Sequence, residues 1–316
     1  MARSQNLRFI ALALGTMAAA LAGACAPGAA RVPAGAPRDV PRSIRVQQAG
    51  QVRAIPLEEY VLGASLSEVT PAGESAAVAA RVFEVQAIIA RTYAAATPGR
   101  HRSEDFDLCD TTHCQLYEPG RLTTSSYAAV ARAAVTRTAG RILRFNGRPA
   151  ETLFHADCGG YTTTPRDAWG GPALPYLPAA PDDVPGRPHR AWHLVATDGE
   201  WADMLNRDPR TRMGGRLRDL RVVSRDSSGR ATLIEIAGNR SVRASGATLR
   251  AVVSGVRGPR ALLSTRFDIS RTPAGFRLDG TGFGHGVGLC QLGSIARARR
   301  GDSAETILGH YYPGAR

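Results

Sequence analysis

Three groups of residues have the types and spacing to do chemistry. Glu68 ends an apolar run, just before Thr70-Pro71. If that run is a helix, Glu68 faces the negative end of its dipole. Partial burial there raises a carboxyl toward the neutral pKa that a general acid needs. The competing reading is a solvated glutamate at a helix end. Glu74, in the loop that follows, is a rival carboxyl but has no helix before it. The second group is Cys109, His113 and Cys114, with His101 nearby as a fourth ligand. Structural zinc sites use these residue types. A Cys109–Cys114 disulfide is the alternative, and the two exclude each other because zinc needs both sulfurs as thiolates. The third is His285, framed by Gly280, Gly282, Gly284, Gly286 and Gly288. Alternating glycines let a backbone take positive φ and come close to a ligand or another segment, so this loop could hold His285 in a cleft. The spacing is not the GxGxxG order of a dinucleotide site, and a P-loop's lysine is missing.

The elements that must position these residues follow from apolar spacing and turn residues. Residues 57–67 and 75–96 have helical periodicity, the first stopped by Pro71 and Gly73, the second by Pro98-Gly99. Arg91 falls inside the second, amid Ile88, Ile89, Ala90 and Tyr93, so it has a partner, snorkels, or clamps an anionic or polar substrate group. Residues 100–120 are polar and irregular. Residues 125–138 form a third helix. Residues 142–145 and 152–155 read as a strand pair across Asn146-Gly147. Residues 165–190 are a long loop. Strands at 220–225 and 231–237 pair across Ser228-Gly229, and further strands lie at 266–270 and 275–278. Helices at 291–299 and 304–311 close the chain. Helices mixed with antiparallel hairpins predict an α+β fold, expected as a single mixed domain over residues 43–316. His155 and Cys158 follow a strand three positions apart and so point to opposite faces, which weighs against a thiol nucleophile paired with that histidine.

All 40 basic residues are arginine, so lysine Schiff bases and lysine general bases are excluded. The formal charge of +13 is scattered, with no basic run interleaved with aromatics; it suits anionic polymers or surfaces, and no nucleic-acid role is expected. Residues 1–24 have the charged, apolar and small-residue regions of a signal peptide. Cys25 stands where a lipoprotein carries its lipid, although Ala22-Gly23-Ala24 also suits an ordinary cleavage site. Residues 25–42 read as a flexible tether. The expected location is the cell envelope or periplasm, with membrane contact only through a lipid on Cys25. Outside the cytoplasm the other four cysteines allow three full disulfide pairings, and their count does not choose among them.

Taken together, the motifs resemble one family, the SpoIID/LytB domain of bacterial cell-wall proteins. Tyr60-Val61-Leu62-Gly63 followed by Ser67-Glu68-Val69 is similar to its opening segment, and Gln86-Ala87-Ile88-Ile89-Ala90-Arg91-Thr92-Tyr93 to its signature helix. The segment 107–115, Cys158-Gly159-Gly160, Trp169-Gly170, Ser264-Thr265-Arg266-Phe267, the glycine loop through Gln291 and Ile307-Leu308-Gly309-His310-Tyr311-Tyr312-Pro313-Gly314 follow in family order. The resemblance implies a peptidoglycan lytic transglycosylase acting on glycan strands, preferably stripped of peptide stems, and leaving 1,6-anhydro ends. It places the catalytic glutamate on Glu68 and makes Arg91, His285 and Gln291 the candidate substrate-binding lining. No cofactor is required for such catalysis; some members carry zinc, which here falls on His101, Cys109, His113 and Cys114. LytB-type members are amidase enhancers, so a non-catalytic wall binder with a cell-wall amidase as partner is the alternative. Residues 70–81 make a longer link than is usual in the family, and Cys290 stands where many members have serine.

Overall fold

The computed structural model describes residues 40–182 and 189–316. The signal segment, Cys25 and the tether through residue 39 lie outside the described residues. Strands β1 (Ser43–Gln48) and β2 (Gln51–Pro56) form an antiparallel hairpin, and helix α1 (Leu57–Glu68) follows without a loop. Glu58 and Glu59 in its first turn favour the positive end of the helix dipole. Helix α2 (Ala76–Ala96) is capped by the Ser75 hydroxyl, which accepts from the Val78 N–H. From Val82 to Ala95 α2 is apolar on nearly every face, and it runs buried through the middle of the packing. The chain then passes a short 3-10 turn, Arg102–Glu104, to β3 (Leu108–Cys109), which pairs parallel to β1. Helices α3 (Arg121–Thr124) and α4 (Ala128–Arg137) cover α1 and α2.

The Asn146-Gly147 turn exists, with φ of 49° and 76°, but its partners differ from those expected. Two positive φ values in succession demand a two-residue turn, so β4 (Arg144–Phe145) pairs with β5 (Arg148–Pro149). Pro149 then lacks the N–H that could extend the ladder. Strand β6 (Phe154–His155), expected in that hairpin, pairs instead with a segment far along the chain. Helix α5 (Pro165–Trp169) interrupts the long loop expected at 165–190.

From β7 (Ala191–Thr197) the chain builds a second unit of packing. Helix α6 (Asp198–Asn206) starts with a capping box between Thr197 and Glu200. Strands β8 (Asp219–Arg225), β9 (Ala231–Ala237) and β10 (Ser241–Ala244) form one antiparallel sheet, and α7 (Gly246–Arg257) packs on β9. Strands β11 (Phe267–Arg271), β12 (Gly275–Thr281) and β7 form another. The glycine loop leads into β13 (Leu289–Cys290), which pairs parallel to β6 with Cys290 opposite His155. Helices α8 (Gln291–Arg299) and α9 (Ala304–Tyr311) close the chain. The fold is mixed α+β, as its pattern of elements predicts. Among the described residues the buried apolar side chains gather in two clusters. One joins α1, α2, α4, α8 and α9, and the other gathers Trp201, Leu205, Ile234, Ile236, Leu249 and Leu278 between the sheets, α6 and α7. Among the described residues no helix is long and apolar enough to cross a membrane.

Candidate active site

Glu68 is the last residue of α1 and lies in a cleft of about 190 Å³. Val69, Thr70, Ala156, Asp157, Arg190, Phe283, Gln291, Leu292 and Ile295 complete its lining, so four stretches distant in sequence converge there. Burial pushes the Glu68 carboxyl up to about 7, against a partly opposing hydrogen bond from the Leu116 N–H. That N–H donates to Oε1 at 2.5 Å. With Oε1 held as an acceptor, the proton of the neutral acid belongs on Oε2, which no described residue engages. Gln291 is brought to Glu68 as expected: its Nε2 donates to the Glu68 backbone carbonyl at 3.1 Å.

Arg91 does not face the cleft. It is fully buried (0% exposed) and donates from Nε and Nη2 to the two carboxylate oxygens of Glu58 at 2.8 and 2.6 Å, while Nη1 donates to the Arg141 carbonyl at 3.1 Å. A guanidinium in the middle of a buried helix needs such a partner, and Glu58 at the head of α1 supplies it. Arg91 therefore ties α2 to α1 and is not a substrate clamp. His285 is also off the cleft wall; Phe283, two residues earlier, takes that place. The His285 ring packs against Trp169 and His155, with centroids 5.1 and 5.4 Å away, and its Nδ1 accepts the Val287 N–H at 3.0 Å. Burial, with Arg250 and Arg230 adding to it, pushes its pKa down to about 3, so it stays neutral near pH 7.

The alternating glycines have a packing cause. A Cβ on Gly284 would come within 2.7 Å of the His155 Cβ, and one on Gly288 would meet the Leu153 carbonyl. The loop lies directly on the β6 segment, and its φ values of 114° and 69° at these two glycines are open to few other residues. Glu74, the rival carboxyl, is taken by Arg299 of α8, whose Nε donates to it at 2.8 Å, and it is absent from the cleft lining.

Sequence reasoning missed Asp157, Arg190, Phe283 and Leu116. Asp157 is 1% exposed. Burial would raise its pKa, but N–H groups of Arg190 and Gly159 and the His189 ring outweigh that and hold it low. Arg190 N–H donates to Oδ2 at 2.7 Å, and Gly159 N–H and His189 Nδ1 to Oδ1, both at 3.0 Å. The cleft thus carries one carboxyl that keeps its proton near neutrality and one that is ionised, the separation that assigns acid roles. The Arg190 guanidinium stands over the Phe283 ring at 5.9 Å. Asp157, next to Cys158-Gly159-Gly160, was the one with a visible signal.

His101, Cys109, His113 and Cys114 come together, with one ligand atom of each within 4.8 Å of all the others. His101 Nε2 is 3.3 Å from the Cys114 sulfur, and His113 Nδ1 is 3.7 and 3.8 Å from those of Cys109 and Cys114. Metal–ligand bonds of about 2.0 Å to nitrogen and 2.3 Å to sulfur give tetrahedral edges of about 3.3–3.8 Å. The set therefore fits zinc in type, number and spacing. Glu104 holds His101 Nδ1 at 2.8 Å, which leaves Nε2 facing the sulfurs. No bond joins the Cys109 and Cys114 sulfurs in this structure, and zinc at this cluster would need both as thiolates.

This cluster sits on the loop that positions Glu68. Leu116 follows it directly, Gln115 accepts from the Tyr60 hydroxyl at 2.9 Å, and the Glu118 N–H donates to Ser67 Oγ at 2.9 Å. Tyr117 stacks on Tyr60 at 5.3 Å and lies against Gly63, where any Cβ would strike its ring.

Residues 45–145 match the family model SpoIID, described as Stage II sporulation protein, and residues 191–288 match a domain of unknown function (DUF8618). The chain is 29% identical over 265 residues to an uncharacterized protein of Brachyspira hyodysenteriae, covering 83% of this chain and 67% of that protein. It is 29% identical over 281 residues to Stage II sporulation protein D of Bacillus subtilis, covering 83% and 74%. With the Amidase enhancer of Bacillus subtilis it shares 25% identity over 292 residues, 79% of this chain and 39% of that protein.

Proposed function

We propose that this chain, which belongs to the SpoIID/LytB family, acts on peptidoglycan as a lytic transglycosylase with Glu68 as its acid and base. The observation that carries this reading is a partly buried carboxyl with a pKa of about 7 at one end of a cleft. A glycosidic bond breaks when its oxygen receives a proton, and with a pKa of about 7 roughly half of the Glu68 carboxyls carry one at pH 7. As the C1–O bond breaks, the 6-hydroxyl of the same sugar closes on C1 and gives its proton to the Glu68 carboxylate. The acid is regenerated, no water is consumed, and the sugar leaves as a 1,6-anhydro end. Asp157 is not the nucleophile of a retaining glycosidase in this scheme, because backbone N–H groups and His189 occupy its oxygens. Phe283 offers a face for a sugar ring and Arg190 a positive charge for anionic groups on the strand.

Zinc at His101, Cys109, His113 and Cys114 would cross-link the loop and hold Leu116 against Glu68, with no part in the chemistry. The working place proposed is the cell envelope after export, with a lipid anchor if Cys25 is modified. The test is digestion of purified, peptide-free glycan strands followed by mass spectrometry. Fragments ending in 1,6-anhydro sugars are expected; ordinary reducing ends would mean hydrolysis, and no fragments would end the enzymatic reading. The similarity to an amidase enhancer favours a second reading, a strand-binding protein that activates a cell-wall amidase. In that case the chain binds glycan without cutting it and raises amidase turnover.

A further inference from the structure

Away from Glu68, a second pair of cysteines lies beneath the cleft. Cys158 follows β6, Cys290 ends β13, and both are 0% exposed. Their sulfurs and a ring nitrogen of His155 lie within 4.8 Å of one another, so His155 and Cys158 do not point to opposite faces as strand spacing predicts, because β6 ends at His155 and Cys158 lies beyond it. The Cys158 N–H donates to the Cys290 sulfur at 3.2 Å, which brings that sulfur within about 4.7 Å of the Cys158 Cα, given an N–Cα bond of about 1.46 Å. Side-chain rotation can close such a gap. The other two described cysteines belong to the His101–His113 cluster, so this geometry reduces the three pairings open to the sequence to a single candidate bridge here.

We propose that Cys158 and Cys290 form a disulfide that ties the segment after β6 to the start of α8. The surroundings are arranged for thiol–disulfide exchange. Cys290 caps the nine-residue α8, where its sulfur accepts N–H groups from Cys158 and, at 3.4 Å, from Gly293. Donors at a helix N-terminus stabilise a thiolate. The Cys158 thiol donates to the buried Asp182 carboxylate at 3.2 Å, which gives its proton a destination. In the first step the Cys290 thiolate attacks a small-molecule disulfide such as oxidised glutathione. A mixed disulfide forms and one glutathione thiolate leaves. In the second, Cys158 passes its proton to Asp182 and attacks the Cys290 sulfur. The protein disulfide forms and the second glutathione thiolate leaves. Two protein thiols are oxidised, the glutathione disulfide is reduced to two thiols, and the released protons return to them. Both sulfurs are buried, so the finished bond is shielded from reductant.

The bridge has a direct bearing on the cleft. Ala156 and Asp157 on one side and Gln291 and Leu292 on the other all line it, and the disulfide would lock these two walls together. The competing occupant is a soft metal ion held by the two sulfurs and His155, whose Nε2 is buried with no hydrogen-bond partner. The disulfide is favoured because the trio supplies three donors where a buried structural zinc takes four, and the Asp182 carboxylate beside Cys158 lies outside that trio and is engaged by Arg297 and the Tyr311 hydroxyl.

The test is peptide mapping of the full chain unfolded and refolded in oxidised and reduced glutathione, which gives the reagent access to both sulfurs, then denatured and alkylated without reductant. A cross-linked peptide pair containing Cys158 and Cys290 is expected. Alkylation of both residues would overturn the proposal, as would a metal equivalent that is lost on Cys290→Ser while the Cys109–Cys114 cluster stays intact. Thermal unfolding gives a second readout. Opening a loop of this length should lower the midpoint by about 10 °C in pre-reduced protein. The Cys158→Ser/Cys290→Ser double variant should show no difference between the two preparations. Equal midpoints for oxidised and pre-reduced wild-type protein would count against the bridge.

Discussion

Replacing Glu68 by glutamine tests both the chemistry and the electrostatics of the cleft. Glutamine keeps the shape of the side chain, and its Oε1 can still accept from the Leu116 N–H. It loses only the titrating proton. Removing a general acid–base group should lower turnover by roughly 10²–10⁴-fold while strand binding persists. The same substitution should stabilise the fold at high pH. Glu68 is raised from an ordinary 4.5 to about 7 by burial. Below pH 4.5 the folded and unfolded chains both carry the proton. Between 4.5 and about 7 the unfolded chain loses it while the folded chain keeps it, so stability falls as pH rises, and above 7 the loss is complete. The size of that loss is about 3 kcal/mol. Glutamine does not titrate, so the variant should match wild type near pH 4 and exceed it near pH 8, by roughly 6–12 °C in unfolding midpoint. Wild-type activity should decline above pH 7 as the acid ionises. The assays are release of 1,6-anhydro ends and thermal unfolding across pH. Undiminished cleavage by the variant would refute the mechanism, and parallel stability curves would refute the burial of the proton even if activity were lost.

Treating zinc-loaded protein with a chelator, or Cys114→Ser, should loosen the 101–117 loop and lower activity through the lost Leu116 contact, measured with metal content alongside turnover; full activity in metal-free protein would uncouple the proposed metal site from the cleft. Glu58→Ala leaves the buried Arg91 charge uncompensated and should cost about 3 kcal/mol by chemical denaturation with strand affinity unchanged, whereas a weakened affinity at intact stability would restore Arg91 to the binding surface. Gly63→Ala drives a methyl into the Tyr117 ring and should cost about 1–3 kcal/mol. Phe283→Ala should raise KM for glycan more than it lowers kcat; a pure kcat effect would remove it from the binding face.

The helices were legible because their signals are local. Ser75 caps α2 and Pro71 with Gly73 separates it from α1, so apolar spacing and stop residues set both ends of each helix. Glu68 was legible for the same reason: a carboxyl at a helix end before a proline is a local arrangement with a local electrostatic consequence. The metal-capable cluster was legible because residues 101–114 contain all its ligands. What the sequence could not display was long-range pairing. Phe154–His155 has the look of the second arm of the Asn146-Gly147 hairpin, but the turn closes on Arg148-Pro149, and β6 finds β13 across more than a hundred residues. That single parallel pairing sets Asp157 and Gln291 on facing walls of the cleft. It also explains why His285 was misplaced. The glycine pattern correctly announces a close approach of backbone, but what it approaches is Leu153 and His155 of this chain and not a ligand. Arg91 was misread for an energetic reason. A buried guanidinium must be neutralised somewhere, and the sequence cannot distinguish a substrate's negative charge from that of Glu58, which lies a helix away and is fixed opposite it only when α1 and α2 pack.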